Sequence, residues 1–415
     1  MKNLSSNKIL LYCKKLKDSS NNYLWIPLSF GIVQAEVAKK SIFITVIKLV
    51  FNIFLFSIFS FSNLFSQTIA ELKNAEKIIG VKTEYGFIMS HRQGMGQLQA
   101  HVPIIEIDFN IPTKGEKYWH KLYRYPTMGI AYTYADLGNP EVTGTANAIM
   151  PYLQLPIIKT KYFEWNYRIA LGMAYLSKHF DRIENTQNIA MGSAFNIAAN
   201  ILFDFHFKLS EKFKLSTGIG FSHFSNANFQ KPNLGINIPS IGIGAYYQFG
   251  KKKTIIIPSD STTQLLSKKI YALVIGSYSL KAVYPPGSSI YPAYTLSIEA
   301  AYQITKKRRL GIGTDWMYDQ SLLPRAGIDT TYNGVLNNSL NFKAGLTIYE
   351  ALIIGRLQVS IQMGIYILRK YNEGEDFYHR FGFRYNVNKH FVANLSLRTH
   401  FAKADCIEWG MGYQF

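Results

Sequence analysis

The chain has 415 residues, a formal net charge of +19, and a composition that is 48% hydrophobic and 15% aromatic. Charged residues make up only 17% of it. This composition excludes intrinsic disorder for most of the chain, because disordered proteins are poor in hydrophobic and aromatic residues. The 30 glycines show no triplet repeat, which excludes collagen. Two cysteines, Cys13 and Cys406, are too few for a disulfide scaffold.

Residues 1–66 are predicted to be a leader that contains a signal peptide. Lys39 and Lys40 precede a hydrophobic run over 41–65, and Ser66-Gln67 follows it as a cleavage site. An uncleaved membrane anchor is the alternative, because the run is long. The polar stretch before residue 38 has no ordinary place ahead of a signal peptide, and we interpret it as a misassigned start. The mature protein is therefore expected to be exported.

After Gln67, no segment reaches the ~20 continuous apolar residues that a membrane helix requires. The sequence instead repeats alternating segments of about ten to sixteen residues, rich in Tyr, Phe, Ile, Leu and Gly and separated by polar turns. The last segment, Cys406 to Phe415, ends on an aromatic residue, which resembles the final strand of bacterial outer-membrane proteins. The sequence predicts an all-β fold, a transmembrane antiparallel β-barrel in the outer membrane.

Sixteen strands are predicted in two sets of eight. The first set comprises 79–90, 99–111, 121–135, 146–158, 162–177, 191–207, 213–225 and 236–250. The second comprises 269–283, 289–304, 308–319, 337–350, 353–369, 377–387, 389–401 and 406–415. With a periplasmic N-terminus, the longer connections at 91–98, 136–145, 178–190 and 226–235 face outside, as they do in such barrels.

The two sets indicate an internal duplication. Lys212 to Phe249 is echoed by His390 to Phe415, each a penultimate and a last strand. We therefore predict a leader (1–66), a barrel half that carries the site (67–250), a linker (251–268) and a second half (269–415). Two fused eight-stranded barrels are favoured, and one sixteen-stranded barrel is the alternative.

The hairpin over 213–250 carries the candidate chemistry. The odd positions of its first strand are mostly apolar, so this face is predicted to meet lipid. His223 and Ser225 continue the same face at its outer end. A histidine and a serine at i and i+2 project to one side of a strand, where the imidazole can take the hydroxyl proton and activate the serine as a nucleophile.

The run from His223 to Ala227, followed by Pro232 to Asn237, resembles the lipid A 3-O-deacylases, PagL-type outer-membrane esterases with an eight-stranded barrel and a His-x-Ser-Asn motif. The resemblance covers at best residues 79–250. It implies cleavage of an acyl ester of lipid A, with His223 as general base and Ser225 as nucleophile.

The same resemblance assigns Asn226 and Asn233 to stabilisation of the oxyanion, a role that amide donors can fill. It also exposes a departure, because the acidic residue of the family's triad falls on Asn237 here. An amide can orient an imidazole by hydrogen bonding, but it cannot stabilise the imidazolium as a carboxylate does. This substitution predicts lower activity or a dead site.

The second half offers His400 and Glu408 as a spare base and acid. The apolar residues of their strands occupy the alternate positions, so both are predicted to point into the lumen. The second half is then a structural or substrate-holding partner without its own dyad.

Five residues of the predicted outer loops are weaker candidates for binding lipid A phosphates: His91, Arg92, Lys178, His179 and Arg182. The basic runs 251–253 and 306–309 are interpreted as solvated turns, and export argues against nucleic-acid binding. His206 with Asp204, and Asp181 with Glu184, lack the company of a metal site, so no metal and no cofactor are predicted.

Two functions stay open from sequence. The favoured one is an outer-membrane esterase that acts on lipid A of lipopolysaccharide. The other is a catalytically inactive barrel, structural or pore-like, in which His223 and Ser225 are merely polar residues near the aromatic girdle.

Overall fold

The structure is a computed structural model that describes residues 13–17, 23–27, 76–250, 270–401 and 403–415. The predicted signal run over 41–65 and the predicted linker over 251–268 lie outside these residues. Strands β1 (Cys13–Lys17) and β2 (Tyr23–Pro27) pair with each other in antiparallel register. None of the helices in the described residues is long and apolar enough to cross a membrane.

Eight antiparallel strands form a first closed barrel. They are β3 (Lys77–Phe87), β4 (His101–Pro112), β5 (Thr127–Asp136), β6 (Thr145–Lys159), β7 (Phe163–Leu176), β8 (Phe195–Lys208), β9 (Phe213–Ser225) and β10 (Ile236–Phe249). Each strand pairs with the next, and β10 closes the barrel on β3. A short helix α1 (Tyr118–Leu122) lies between β4 and β5.

Eight more strands form a second closed barrel in the same manner. They are β11 (Ile270–Ala282), β12 (Ile290–Gln303), β13 (Arg308–Asp319), β14 (Phe342–Ile354), β15 (Leu357–Arg369), β16 (Phe377–Asn386), β17 (Phe391–His400) and β18 (Lys403–Gln414). Strand β18 pairs with β11 to close it. Helix α2 (Leu322–Ile328) lies in the connection between β13 and β14. The chain thus forms two barrels, and the alternative of one sixteen-stranded barrel is wrong.

Side chains alternate between a buried and an exposed face along the strands. In β3 the alternation runs almost without a break, and the exposed positions include Val81 at 53% and Tyr85 at 56%. Large apolar side chains that are this exposed would be costly in water, whereas they suit a barrel surface that faces lipid.

The lumen of each barrel contains charged side chains that pair with one another. In the first barrel both terminal nitrogens of Arg168 donate to Glu106, at 2.7 Å each. In the second barrel Arg384 makes the same bidentate contact with Glu299, at 2.6 and 2.7 Å. All four side chains are at most 3% exposed. A buried charge is costly without such a partner, so each of these four ions is neutralised inside its lumen.

All sixteen predicted strands are present, and the two largest errors in their bounds are at the starts of β5 and β14. The strand predicted from 121 begins instead in α1, and β5 starts only at Thr127. Tyr123 and Tyr125 alternate with charged residues and imitate a strand, but Arg124 and Tyr125 both adopt positive φ and end the helix in a tight turn. The strand predicted from 337 begins in a 3-10 turn, Asn338–Asn341, before β14.

The two barrels belong to one compact unit, Ala75–Phe415, and contact each other near α1. The Tyr123 hydroxyl donates to the Ile353 carbonyl of the second barrel at 2.9 Å. The Lys307 ammonium lies 5.2 Å from the centre of the Tyr123 ring, and Lys306 lies 5.1 Å from that of Tyr118. Lys306 and Arg308 are exposed, as the interpretation of this basic run as a solvated turn expects, but Arg309 is buried and both lysines also contact aromatic rings of the first barrel. We call this side, with the short turns, the inner end.

Candidate active site

Strands β9 and β10 position the residues singled out from sequence. On β9 the exposed side chains are those at odd positions: Phe213, Leu215, Ile219 and Phe221. His223 and Ser225 continue this outward face toward the outer end, where the long loops lie. His223 is half-buried and Ser225 is buried, because the loop over 226–235 folds back over them.

His223 is held by Asn237. The two residues are direct partners in the β9–β10 register, and the Nδ1 atom of His223 lies 2.5 Å from Oδ1 of Asn237. In the tautomer that this contact favours, Nδ1–H donates to the amide oxygen and Nε2 keeps its lone pair. The backbone of Gly235 (φ +79°) approaches the same ring so closely that an added Cβ would lie 3.0 Å from Cε1 of His223.

Ser225 forms a second cluster with Asn233. The Asn233 amide nitrogen lies 3.0 Å from the Ser225 hydroxyl oxygen, and the amide oxygen lies 3.2 Å from it. The backbone N–H of Ala227 also donates to this hydroxyl, at 3.0 Å. Across the described residues, no hydrogen bond links His223 to Ser225. The structure therefore brings His223 to Asn237 and Ser225 to Asn233, as two neighbouring pairs on one face.

The side chain of Asn226 has a different environment from that of Asn233. Its amide nitrogen donates to the Ser193 hydroxyl at 2.9 Å and to the Gln230 carbonyl at 3.0 Å. Both amide hydrogens are therefore in use, and neither points at the Ser225 hydroxyl. The Asn226 backbone N–H donates to Oδ1 of Asn233 at 3.1 Å, which fixes the orientation of the Asn233 amide.

The outer-loop residues that were predicted to bind phosphates do not lie together in one cluster. His91 has its Nε2 3.1 Å from the Leu234 carbonyl and its Nδ1 3.1 Å from the Met89 carbonyl, so its ring joins the end of β3 to the loop over the site. Lys178 and His179 are exposed. The guanidinium of Arg182 lies against Gly287 of the second barrel.

Sequence reasoning missed the Ala227 N–H and the contacts of His91. Ala227 lies in the left-handed region with a φ of +51°. Alanine rarely adopts this conformation, so no residue preference signals it. The partners of His91 are backbone atoms 143 and 2 residues away, and a backbone carbonyl leaves no trace in residue identity.

An open apolar groove of about 570 Å³ runs along the outer surface of the first barrel, next to the site. Its lining includes Tyr85, Phe87, Ile219, Phe221, Pro239 and Ile241. Phe221 is two residues from His223 on the same face of β9, so the groove begins beside the candidate base. We call it the β9–β10 groove.

The spare base and acid of the second barrel have other partners. Glu408 is 1% exposed and accepts hydrogen bonds from Arg380 at 3.1 Å and from Ser396 at 3.0 Å. His400 has its Nε2 2.9 Å from the Tyr366 hydroxyl. Glu408 therefore belongs to the ion pairs that fill the lumen, as the alternation of its strand predicted.

Solved β-barrel structures align with the chain at low identity. Neisserial surface protein A is 11% identical over 42% of this chain and 97% of its own, with a TM-score of 0.30. The outer membrane enzyme PagL is 17% identical over 40% and 97%, at 0.27. A mutant porin from Rhodopseudomonas blastica is 10% identical over 81% and 100%, at 0.17. Scores this low add nothing to the argument. No curated protein sequence matches significantly.

Family models match both barrels. Residues 104–251 match the lipid A 3-O-deacylase (PagL) model, and this range includes His223, Ser225, Asn226, Asn233 and Asn237. Residues 267–415 match the model described as acyloxyacyl hydrolase, C-terminal domain. The protein is an outer-membrane β-barrel protein. Each barrel thus matches one model of the PagL-type lipid A 3-O-deacylases and acyloxyacyl hydrolases, the family that the motif around His223 and Ser225 resembles.

Proposed function

We propose that the protein is a serine esterase that hydrolyses an acyl ester of lipid A in the outer membrane. The observation that carries the proposal is the pairing of His223 with Asn237 at 2.5 Å, two residues from Ser225 on the lipid-facing side of β9. Ester chemistry needs a base with a fixed tautomer next to a hydroxyl. The family match over 104–251 supports lipid A as the substrate.

The reaction begins when the Ser225 hydroxyl turns from Asn233 toward Nε2 of His223. The imidazole removes the hydroxyl proton as Ser225 Oγ bonds to the ester carbonyl carbon, which gives a tetrahedral oxyanion and an imidazolium. The imidazolium then gives its proton to the departing sugar oxygen as the ester C–O bond breaks. Water, deprotonated by His223, hydrolyses the acyl-enzyme and frees a fatty acid.

Two donors are available for the oxyanion. The Asn233 amide and the Ala227 N–H both lie 3.0 Å from the Ser225 hydroxyl oxygen before the reaction. When that oxygen moves to the substrate carbon, both N–H groups are next to the developing negative charge, where preorganised donors have their largest effect. The side chain of Asn226 would first have to release Ser193 or Gln230.

The β9–β10 groove supplies a place for the acyl chain. Its lining is apolar, it lies on the lipid side of the barrel, and it begins at Phe221 beside His223. A fatty acyl chain in the groove would place its ester at the outer end, level with Ser225. The buried Arg168–Glu106 pair inside the first barrel supports an enzyme scaffold over the alternative of an aqueous pore.

Mass spectrometry of lipid A from cells that express the protein tests the proposal. The host lipid A must carry the primary 3-hydroxyacyl esters. Loss of one hydroxyacyl mass is expected with the unmodified protein, and none with Ser225→Ala or His223→Ala. Ser222→Ala is the matched control, since Ser222 faces the lumen and accepts from Asn200 at 3.0 Å. Identical lipid A with and without the unmodified protein, at equal folded amounts, would sink the proposal.

A further inference from the structure

The loop that carries the site is hydrogen-bonded to the second barrel through Asn228. The Asn228 side-chain amide donates to the Asp405 carbonyl at 3.0 Å, and its own backbone carbonyl accepts from the Ala282 N–H at 3.1 Å. Asn228 is only 3% exposed. Both partners belong to the second barrel, in β18 and β11, so the outer loop of the first barrel is fixed to the other barrel three residues after Ser225.

The backbone at this point is in a conformation that the loop would not favour alone. Ala227 and Asn228 have φ values of +51° and +72°, two consecutive residues in the left-handed region. This conformation is costly for alanine. It is also what directs the Ala227 N–H at the Ser225 hydroxyl. The hydrogen bonds with Asp405 and Ala282 hold the side chain and the backbone carbonyl of Asn228 in place. They thereby oppose relaxation of these two left-handed residues.

A second contact lies on the same loop. The Lys231 ammonium is 4.9 Å from the centre of the Tyr284 ring, in the connection that follows β11. At the inner end, the Tyr123 hydroxyl reaches the Ile353 carbonyl. The barrels are thus fixed at both ends, and the loop between Ser225 and Asn233 meets a surface of defined position.

We propose that the second barrel is a positioning element for the esterase site of the first. It holds Asn228 and, through it, keeps the Ala227 N–H where the oxyanion forms. Asn228 is a positioning residue, since none of its atoms is placed at the reacting bond. This inference rests on the proposed function. It gives a role to the second barrel, for which the sequence predicts no dyad of its own.

The test compares three variants of the full-length protein in detergent with lipopolysaccharide as substrate. Asn228→Gly keeps the left-handed backbone accessible and removes only the bond to Asp405. Tyr284→Ala removes the second-barrel ring that contacts Lys231. Tyr284 lies in a connection and is about half exposed. Tyr123→Phe is the matched control, because it breaks an inter-barrel hydrogen bond at the inner end.

We expect kcat to fall about tenfold for Asn228→Gly, since one hydrogen bond to a polar partner is lost, with KM within about twofold. We expect a smaller fall for Tyr284→Ala and no change for Tyr123→Phe. A purely structural role would lower the folded fraction, measured by gel mobility before and after heating, and leave kcat per folded molecule unchanged.

The outcomes separate the two proposals. Full kcat in Asn228→Gly and in Tyr284→Ala, with the unmodified protein active, overturns the positioning role alone. An equal loss of kcat in Tyr123→Phe also overturns the positioning role, because the loss would then come from a general separation of the two barrels. If the unmodified protein and Ser225→Ala release equally little fatty acid, the proposed function fails, and the positioning role falls with it.

Discussion

Replacement of Asn237 by Asp is the most informative single change, because it supplies the carboxylate that the resemblance to the family's triad assigns to this position. Asp is nearly isosteric with Asn, so its oxygen should occupy the place of the amide oxygen, 2.5 Å from Nδ1 of His223. The new charge stabilises the imidazolium that forms in the transition state, which the amide cannot do.

The size of the effect follows from this geometry. With about 4 Å between the two charge centres and an effective dielectric constant of about 20, the attraction is about 4 kcal/mol. Desolvation of the half-buried carboxylate offsets roughly half of this gain. About 2 kcal/mol remains for the transition state, which corresponds to a rate increase of about 30-fold.

The assay is the initial rate of hydroxy fatty acid release from lipopolysaccharide by purified protein in detergent, quantified by mass spectrometry. Asn237→Ala should be slower than the unmodified protein, and the double variant Asn237→Asp/Ser225→Ala should be inactive. A rate for Asn237→Asp that is unchanged or lower, at equal folded fraction, would refute the reasoning. Such a result would mean that Asn237 does not occupy the position of the acidic residue of the triad.

Three further outcomes follow from contacts described above. Gly235→Ala should lower kcat at least tenfold, because its Cβ would lie 3.0 Å from the His223 ring at a strained φ, and the rate per folded molecule checks this. Arg168→Met should destabilise the first barrel by about 3 kcal/mol because it leaves the Glu106 carboxylate buried without its main partner, and the temperature of the gel-mobility shift measures the loss. Burial, with Arg325 and Lys403 nearby, lowers the pKa of Lys231 to about 8 from the ordinary value of 10.5. Since the unfolded chain then binds more protons between these two values, stability should rise with pH across that window, and Lys231→Met should abolish the rise.

The strands were predictable because a barrel in lipid imposes alternation on nearly every segment. Along β9 the exposed residues follow this period, and the predicted bounds of 213–225 match the structure. The period cannot recognise a short helix whose aromatic residues happen to alternate with charges. That is why α1 was missed, although it supplies the contact between Tyr123 and the second barrel.

The candidate site could be predicted from the sequence only where it consists of contacts between side chains. His223 and Asn237 lie opposite each other because strand pairing follows from the hairpin, and sequence patterns contain that information. The Ala227 N–H and the anchoring of Asn228 depend on backbone groups and on a second barrel more than 50 residues away in sequence. Neither leaves a signal in residue types, since every residue except proline has the same N–H.

The outward face of β9 has a consequence for kinetics. A site that opens sideways meets its substrate by lateral diffusion within one leaflet, so the relevant concentration is the mole fraction of the lipid in the membrane. Added inert lipid or detergent should then slow turnover by surface dilution even when the bulk substrate concentration is constant. Under the proposed function, a fatty acid freed in the β9–β10 groove would already be in the bilayer when the ester bond breaks.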